Sequence, residues 1–281
     1  MPSRNRAIGG VLLAAFALTS CAATVREQIY KADNTPISVE SWTKKPSQPL
    51  TVQSEGGLAL TGYYWPGAAD DHDVLIFFHG RGSNQGVGAR YAEHLTGHGD
   101  HVIVASYRGF GGNPGKPTQA GLVADGRAFV AKAKALVGPK ARIFLVGHSL
   151  GGAVALHVAA TVRVAGVVTL STFDKLEESA PGGVSALLPD KWNNLDAVTK
   201  IGAPFIMFQG SADDRVDLGQ AAALFATART PAVEIMMPGA GHAPDMSRIG
   251  PLVTQAVQAI DTGKLTVYPT SPPSGWTVRR K

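Results

Sequence analysis

Residues 142–152 read Arg142-Ile-Phe-Leu-Val146-Gly147-His148-Ser149-Leu150-Gly151-Gly152, and an Ala/Val/Leu-rich run continues as far as Thr161. Arg142–Val146 is short, β-branched and aromatic, which predicts a buried strand. Leu150–Thr161 predicts a helix. Between them stands a serine in a G-x-S-x-G string. The string alone is weak, because glycine is common here, 33 of 281 residues. Its weight comes from the strand before it and the helix after it. A strand-to-helix turn this sharp forces Ser149 into strained backbone, and the flanking glycines remove side chains that would collide. The hydroxyl then stands clear above the sheet with a helix N-terminus behind it. His148, inside the motif, reads as a packing residue rather than a base.

Outward from this turn the chain alternates. Leu50–Gln53 and Leu58–Trp65, joined around Gly56-Gly57, predict an antiparallel hairpin. Val74–Phe78, His101–Tyr107, Val164–Leu170, Phe205–Phe208 and Val233–Met237 join Arg142–Val146 as short apolar strands. Helical patterns lie between most of them, at Ala89–Gly97, Thr118–Val137, Leu218–Ala228 and Asp245–Ile260. Asp217 and Asp245 are fitting N-caps for the last two. Strands alternating with helices predict an α/β fold with a doubly wound, mostly parallel sheet and an N-terminal antiparallel hairpin. In such sheets ligands bind beyond the C-terminal strand ends, so the residues just after each strand decide the chemistry.

A nucleophilic serine needs a base and an orienting acid. After Phe205–Phe208 the chain reads Gly210-Ser-Ala-Asp213-Asp214-Arg215-Val216, and after Val233–Met237 it reads Gly239-Ala-Gly241-His242. Of the eight histidines, only His242 follows the acid-bearing loop. Ser149, Asp213 and His242 are therefore the expected catalytic residues. The Gly-x-x-Asp spacing places Asp213 at the tip of its turn, whereas Asp214 is free to pair with Arg215 or face water. Strand Val74–Phe78 ends in His79-Gly80-Arg81-Gly82. The backbone N–H groups of Arg81 and of Leu150 are the expected oxyanion hole, with His79 bracing the loop.

Composition removes several classes. Hydrophobic residues make up 44 % and charged ones 17 % of the 281, enough for a core and unlike a disordered chain. A formal charge of +5, from 26 basic and 21 acidic residues, is too scattered for a nucleic-acid partner. The single cysteine excludes an internal disulfide framework and a Cys-cluster metal site. That cysteine, Cys21, follows Arg4, Arg6, an apolar run Ala7–Leu18 and then Thr19-Ser20. Twelve residues make only ~18 Å of helix, short of the ~30 Å of hydrocarbon that a span must cross. The run reads as a secretory signal over residues 1–20.

The chain ahead of Cys21 resembles the bacterial lipobox, in which the cysteine carries lipid and becomes the mature N-terminus. The alternative is ordinary cleavage after Ala22, giving a soluble periplasmic protein. Residues 22–36 read as a tether, 37–265 as the domain and 266–281 as a Pro/Ser-rich basic tail. The tail ends Trp276-Thr-Val-Arg279-Arg280-Lys281, and reads as solvated rather than as a contact for anionic lipid.

With these residues in place, most of Leu50–Gly263 resembles an α/β-hydrolase of the serine aminopeptidase-like group, near its cap-less branch of acyl-protein thioesterases and depalmitoylase-like enzymes. Tyr107-Arg108-Gly109-Phe110-Gly111-Gly112-Asn113-Pro114-Gly115-Lys116-Pro117-Thr118 is similar to that branch's Arg-Gly-aromatic-Gly loop, with Asp125 at the acidic position that follows. Ser106 stands where Asp is common and Asn113 where Ser is common. The resemblance implies an α/β-hydrolase fold without a large cap domain, and a serine hydrolase of acyl esters or thioesters. It implies no cofactor and no metal. The partners expected are a small or lipid-like acyl substrate and, through lipidated Cys21, the membrane of a bacterial envelope. The alternatives are an aminopeptidase-like serine peptidase and an inactive binding lipoprotein. Ser41-Trp-Thr-Lys44 fits S-x-x-K but lacks the accompanying Ser-Asp-Asn and Lys-Thr-Gly, so it is set aside. Ala180–Trp192, with Val184, Leu187 and Leu188, is expected to form a flap over a groove beside Ser149; the competing reading packs it into the core.

Overall fold

The computed structural model describes residues 22–37, 42, 44, 48–176 and 189–281. Nine strands form one sheet in the order β1-β2-β4-β3-β5-β6-β7-β8-β9. β1 (Gln48–Ser54) and β2 (Leu58–Trp65) are the antiparallel hairpin, and β2 joins β4 (His101–Ala105) antiparallel. β3 (Asp73–Phe78), β4, β5 (Arg142–His148), β6 (Gly166–Leu170), β7 (Phe205–Gly210) and β8 (Ala232–Met237) run parallel. This is the α/β-hydrolase fold, with no large insertion. Residues 171–193, between β6 and the short helix α5 (Asn194–Val198), are too few for a cap with its own core.

The near-continuous apolar strands follow from burial on both faces. In β3 every residue is buried. Val74, Ile76 and Phe78 join one core layer, while Leu75 and Phe77 join the other. On the first face lie α3 (Gln119–Val137), α4 (Leu150–Ala159), α5 and α6 (Leu218–Thr227); on the second lie α2 (Gln85–Ala92) and α7 (Met246–Asp261). The helix starts are written locally. Asn84, Thr118, Asp217 and Asp245 each accept a backbone N–H of the first turn of α2, α3, α6 and α7.

Three expectations need correcting. Residues 22–30, read as the start of a tether, form a helix, α1. Nine residues make a marginal helix in isolation, so docking must stabilise it. Tyr30 is buried and Ile29 nearly so; Arg26 Nε donates to Asp190 Oδ2 at 2.8 Å, and the Tyr30 hydroxyl donates to the same oxygen at 2.9 Å. Burial and the Asp190 charge raise the Tyr30 phenol well above its ordinary value, so it remains a donor.

The tail is the second correction. Thr277–Arg280 is β9, paired antiparallel to β8, and Arg279 forms an ion pair with the buried carboxylate of Glu234. Edge strands have only one neighbour, and a short charged one carries little apolar periodicity to betray it. The third is Trp192, placed in the expected flap. It is fully buried, its Nε1 donates to the Tyr30 hydroxyl at 3.3 Å, and its ring lies 5.3 Å from that of His157. Trp192 belongs to the core; Val184, Leu187 and Leu188 lie outside the described residues, as do Cys21 and the signal.

Candidate active site

The β5–α4 turn holds Ser149 at φ 54°, ψ −117°, a left-handed backbone that a serine adopts only when its surroundings impose it. Close packing does so. A Cβ on Gly147 would stand 2.3 Å from the Gly151 carbonyl oxygen, one on Gly151 2.0 Å from that of Phe78, and one on Gly152 1.9 Å from Thr172 Oγ1. Ser149 is the N-cap residue of α4, yet its side chain caps nothing, unlike those of the four helices above. The hydroxyl is left for another partner.

That partner is His242, whose Nε2 lies 3.0 Å from Ser149 Oγ. On the other side of the ring, Nδ1 lies 3.0 Å from each carboxylate oxygen of Asp213. Asp213 is fixed in turn by the N–H groups of Arg215 (2.9 Å) and Val216 (3.0 Å) on Oδ1, and by Gln209 Nε2 (3.1 Å) on Oδ2. Burial opposes its charge, but the two N–H groups and His242 outweigh that and hold the carboxyl below its usual value. Asp214 is exposed and makes no ion pair among the described residues. Gln209, fully buried, was not singled out from sequence; a lone amide at the C-terminal end of an apolar strand was the available signal.

Leu150 opens α4, where the first N–H groups have no intrahelical acceptor. Among the described residues no hydrogen bond engages the N–H of Leu150 or of Arg81. Both residues line the cavity that holds Ser149. His79 Nδ1 donates to the Gly80 carbonyl at 3.0 Å, and its ring lies 4.6 Å from that of Tyr107. His148 Nε2 donates to the His242 carbonyl at 3.0 Å, supporting the loop rather than reaching Ser149.

No residue of the Tyr107–Thr118 loop is among the described residues that line the cavity of Ser149. Arg108 Nη2 lies 2.7 Å from the buried Asp125, which also accepts from Ser54 Oγ at 2.6 Å. Ser106 Oγ donates to Gln85 Oε1 (3.0 Å), and Asn113 Oδ1 accepts from Thr61 N (2.8 Å).

The cavity beside Ser149 measures about 470 Å³. Ile29, Phe173, Leu176 and Val216 give it apolar walls, and Lys31, from the segment read as tether, reaches it too.

Burial pushes His79, His148 and His157 down to about 4, and His242 adds to the effect at His148. An unfolded histidine titrates near ~6.5. Between these values each of these rings binds more protons in the unfolded chain than in the folded one. The buried carboxyls of Asp73 and Asp100, pushed up to about 7 and about 6, act in the opposite direction. The stabilisation from keeping these rings neutral is complete above about 6.5 and is lost as pH falls through that window towards about 4. Thermal melts across the window should show the His157→Gln chain losing less Tm than the parent as pH falls, because the other groups titrate alike in both. Parallel Tm curves for the two chains contradict this.

Comparison with known proteins agrees with the fold. The family described as "Serine aminopeptidase, S33" matches residues 69–195. An uncharacterized protein of Mycobacterium tuberculosis is 31% identical over 241 residues, covering 82% of this chain and 85% of the relative. An esterase of Pyrococcus furiosus superimposes with a TM-score of 0.61 at 20% identity, covering 86% of this chain and 99% of the other. Est1E of Butyrivibrio proteoclasticus, solved with ferulic acid bound, gives 0.60 at 21% identity over 77% and 99%.

Proposed function

The chain belongs to the serine aminopeptidase-like family of α/β-hydrolases, and from that premise we propose that it is a serine hydrolase cleaving an acyl ester or thioester. The observation that carries this reading is the 3.0 Å approach of His242 Nε2 to Ser149 Oγ, on a ring whose other nitrogen faces Asp213. In the proposed reaction His242 takes the hydroxyl proton as Oγ attacks the acyl carbonyl. Asp213 fixes the imidazole tautomer and stabilises the imidazolium. The N–H groups of Leu150 and Arg81 receive the developing oxyanion. His242 returns the proton to the leaving oxygen or sulfur, and water, deprotonated by the same ring, releases the acid from Ser149.

Esters are favoured over peptides for two reasons. The cavity wall carries an apolar side, from Ile29, Leu150, Phe173, Leu176 and Val216, which suits a short-to-medium acyl group. Residues 171–193 leave no room for a cap domain that would select peptides. Structural neighbours that include esterases, one holding ferulic acid, support the same choice. The family description, serine aminopeptidase, favours the peptidase alternative. A panel of p-nitrophenyl esters, acyl thioesters and aminoacyl anilides separates them. An ester or thioester should be turned over fastest. An aminoacyl anilide faster than every ester would end the reading.

The proposed location is the bacterial envelope, by lipidation of Cys21. Because the described part of α1 already starts at residue 22, such an anchor would hold the domain close against the bilayer. A fatty-acid label should follow the wild-type chain and vanish in Cys21→Ala. Unlabelled protein in the soluble periplasm would favour cleavage after Ala22. Among the described residues, no helix is long and apolar enough to cross a membrane.

A further inference from the structure

Among the described residues, the wall of the cavity containing Ser149 carries three side chains charged at neutral pH, and all are cations: Lys31, Arg81 and Arg215. A second cavity shares Arg81, Gly82, Arg215 and His242 with the first, so the two arginines stand on the ridge between them, at the proposed base. Elsewhere in the described chain the arginines at 26, 108, 127, 142 and 279 each face a carboxylate, whereas those at 163, 229, 248 and 280 form no ion pair among the described residues but line neither cavity. Lys31, Arg81 and Arg215 face none: no ion pair engages them among the described residues. The acidic residue in the second cavity, Asp214, pairs with neither arginine.

The backbone that carries these exposed side chains is held in place. Lys31 sits at φ 42°, just after the buried Tyr30, whose carbonyl accepts the N–H of Gly82 at 3.2 Å. Arg215 follows the anchored turn of Asp213 directly. Burial and the positive charge of Arg215 both disfavour the Arg81 cation, which places the two guanidinium groups within each other's field. Like charges gathered without an ion-pair partner among the described residues are relieved by an oxyanion, and a planar guanidinium pairs with carboxylate or phosphate through two hydrogen bonds. Apart from Gly82, Ser149 and His242, the remaining described wall is apolar, from Ile29, Leu150, Phe173, Leu176 and Val216.

The geometry points to an anionic substrate: an ester or thioester with an apolar body, whose carboxylate or phosphate group lies against Lys31, Arg81 and Arg215 while its carbonyl lies at Ser149. This inference rests on the hydrolase reading of Ser149 and adds the substrate's charge to it. The three cations make the site selective, and they come from three separate segments: the α1 exit, the β3–α2 loop and the β7–α6 loop.

The test uses two pairs of esters matched in length. Mono-p-nitrophenyl adipate against p-nitrophenyl hexanoate puts the charge on the acyl side. 4-(Hexanoyloxy)benzoate against 4-(hexanoyloxy)benzamide puts it on the leaving group. In at least one pair the anion should be favoured in kcat/KM by about tenfold, the size of one charged hydrogen bond. The pair that responds tells which side of the ester faces the cations. Inorganic phosphate should compete with the favoured ester if the site also takes phosphate; carboxylate alone is indicated if only adipate competes. The preference should shrink in high salt and fall close to one in the double variant Lys31→Gln, Arg215→Gln. The ratio within one variant is the readout, so a common loss of activity does not obscure it. Neutral esters preferred in both pairs, or a ratio untouched by the double variant, would overturn the inference and leave the hydrolase reading standing. No turnover of any ester, together with no covalent labelling of Ser149, would remove both.

Discussion

Replacing Ser149 by alanine is expected to lower ester kcat/KM on the order of a millionfold while leaving Tm close to that of the parent chain. The size follows from the role. Without Oγ no acyl-enzyme forms, and only the N–H groups of Leu150 and Arg81 remain to favour attack by water. The fold should survive because the Ser149 side chain caps nothing, its contact being His242 Nε2. Alanine does keep the strained φ of 54°, which the close approach of Gly147 and Gly151 imposes on whatever residue stands there. His242→Ala should lose activity on a similar scale. A Ser149→Ala chain with more than a hundredth of parent activity would show that the nucleophile lies elsewhere.

The second large effect separates two adjacent carboxylates. Asp213→Asn should reduce kcat on the order of ten-thousandfold, because the amide reverses the hydrogen bond at His242 Nδ1 and selects the wrong tautomer. Its neighbour is different. Asp214 is exposed and unpaired among the described residues, so Asp214→Asn should change kcat by less than about threefold. Steady-state kinetics of the two variants side by side is the check. Equal activities would contradict the assignment of the orienting acid.

Much of this was legible because the relevant physics is local. The turn at Ser149 needs small residues on both sides, so its glycines are written into the sequence at fixed spacing. Buried parallel strands need apolar residues on both faces, so β3 and β5 stand out as runs. Asp217 and Asp245 announce helix starts by composition alone, and they cap α6 and α7 as expected. What escaped was non-local. The helix at 22–30 has weak apolar periodicity, and its stability comes from Asp190 and Trp192, some 160 residues away. β9 was hidden by its two arginines, although Glu234 inside an apolar strand was a signal that a cation must come to meet it. The same distance effect concealed Lys31: nothing near residue 31 in sequence says that it lines the cavity of Ser149. Trp192 escaped for another reason. An aromatic residue in a Pro/Gly-rich stretch fits a flap and a core equally well until its neighbours are known.

The central claim is that Ser149 is a nucleophile activated by His242, and one measurement addresses it most directly. The full chain is incubated with a fluorophosphonate, its intact mass is recorded, and the adduct is mapped by peptide sequencing. The account predicts a single adduct on the peptide containing Ser149, near one per chain, absent from Ser149→Ala and greatly slowed in His242→Ala. An unmodified wild-type chain, or an adduct that persists in Ser149→Ala, would contradict it.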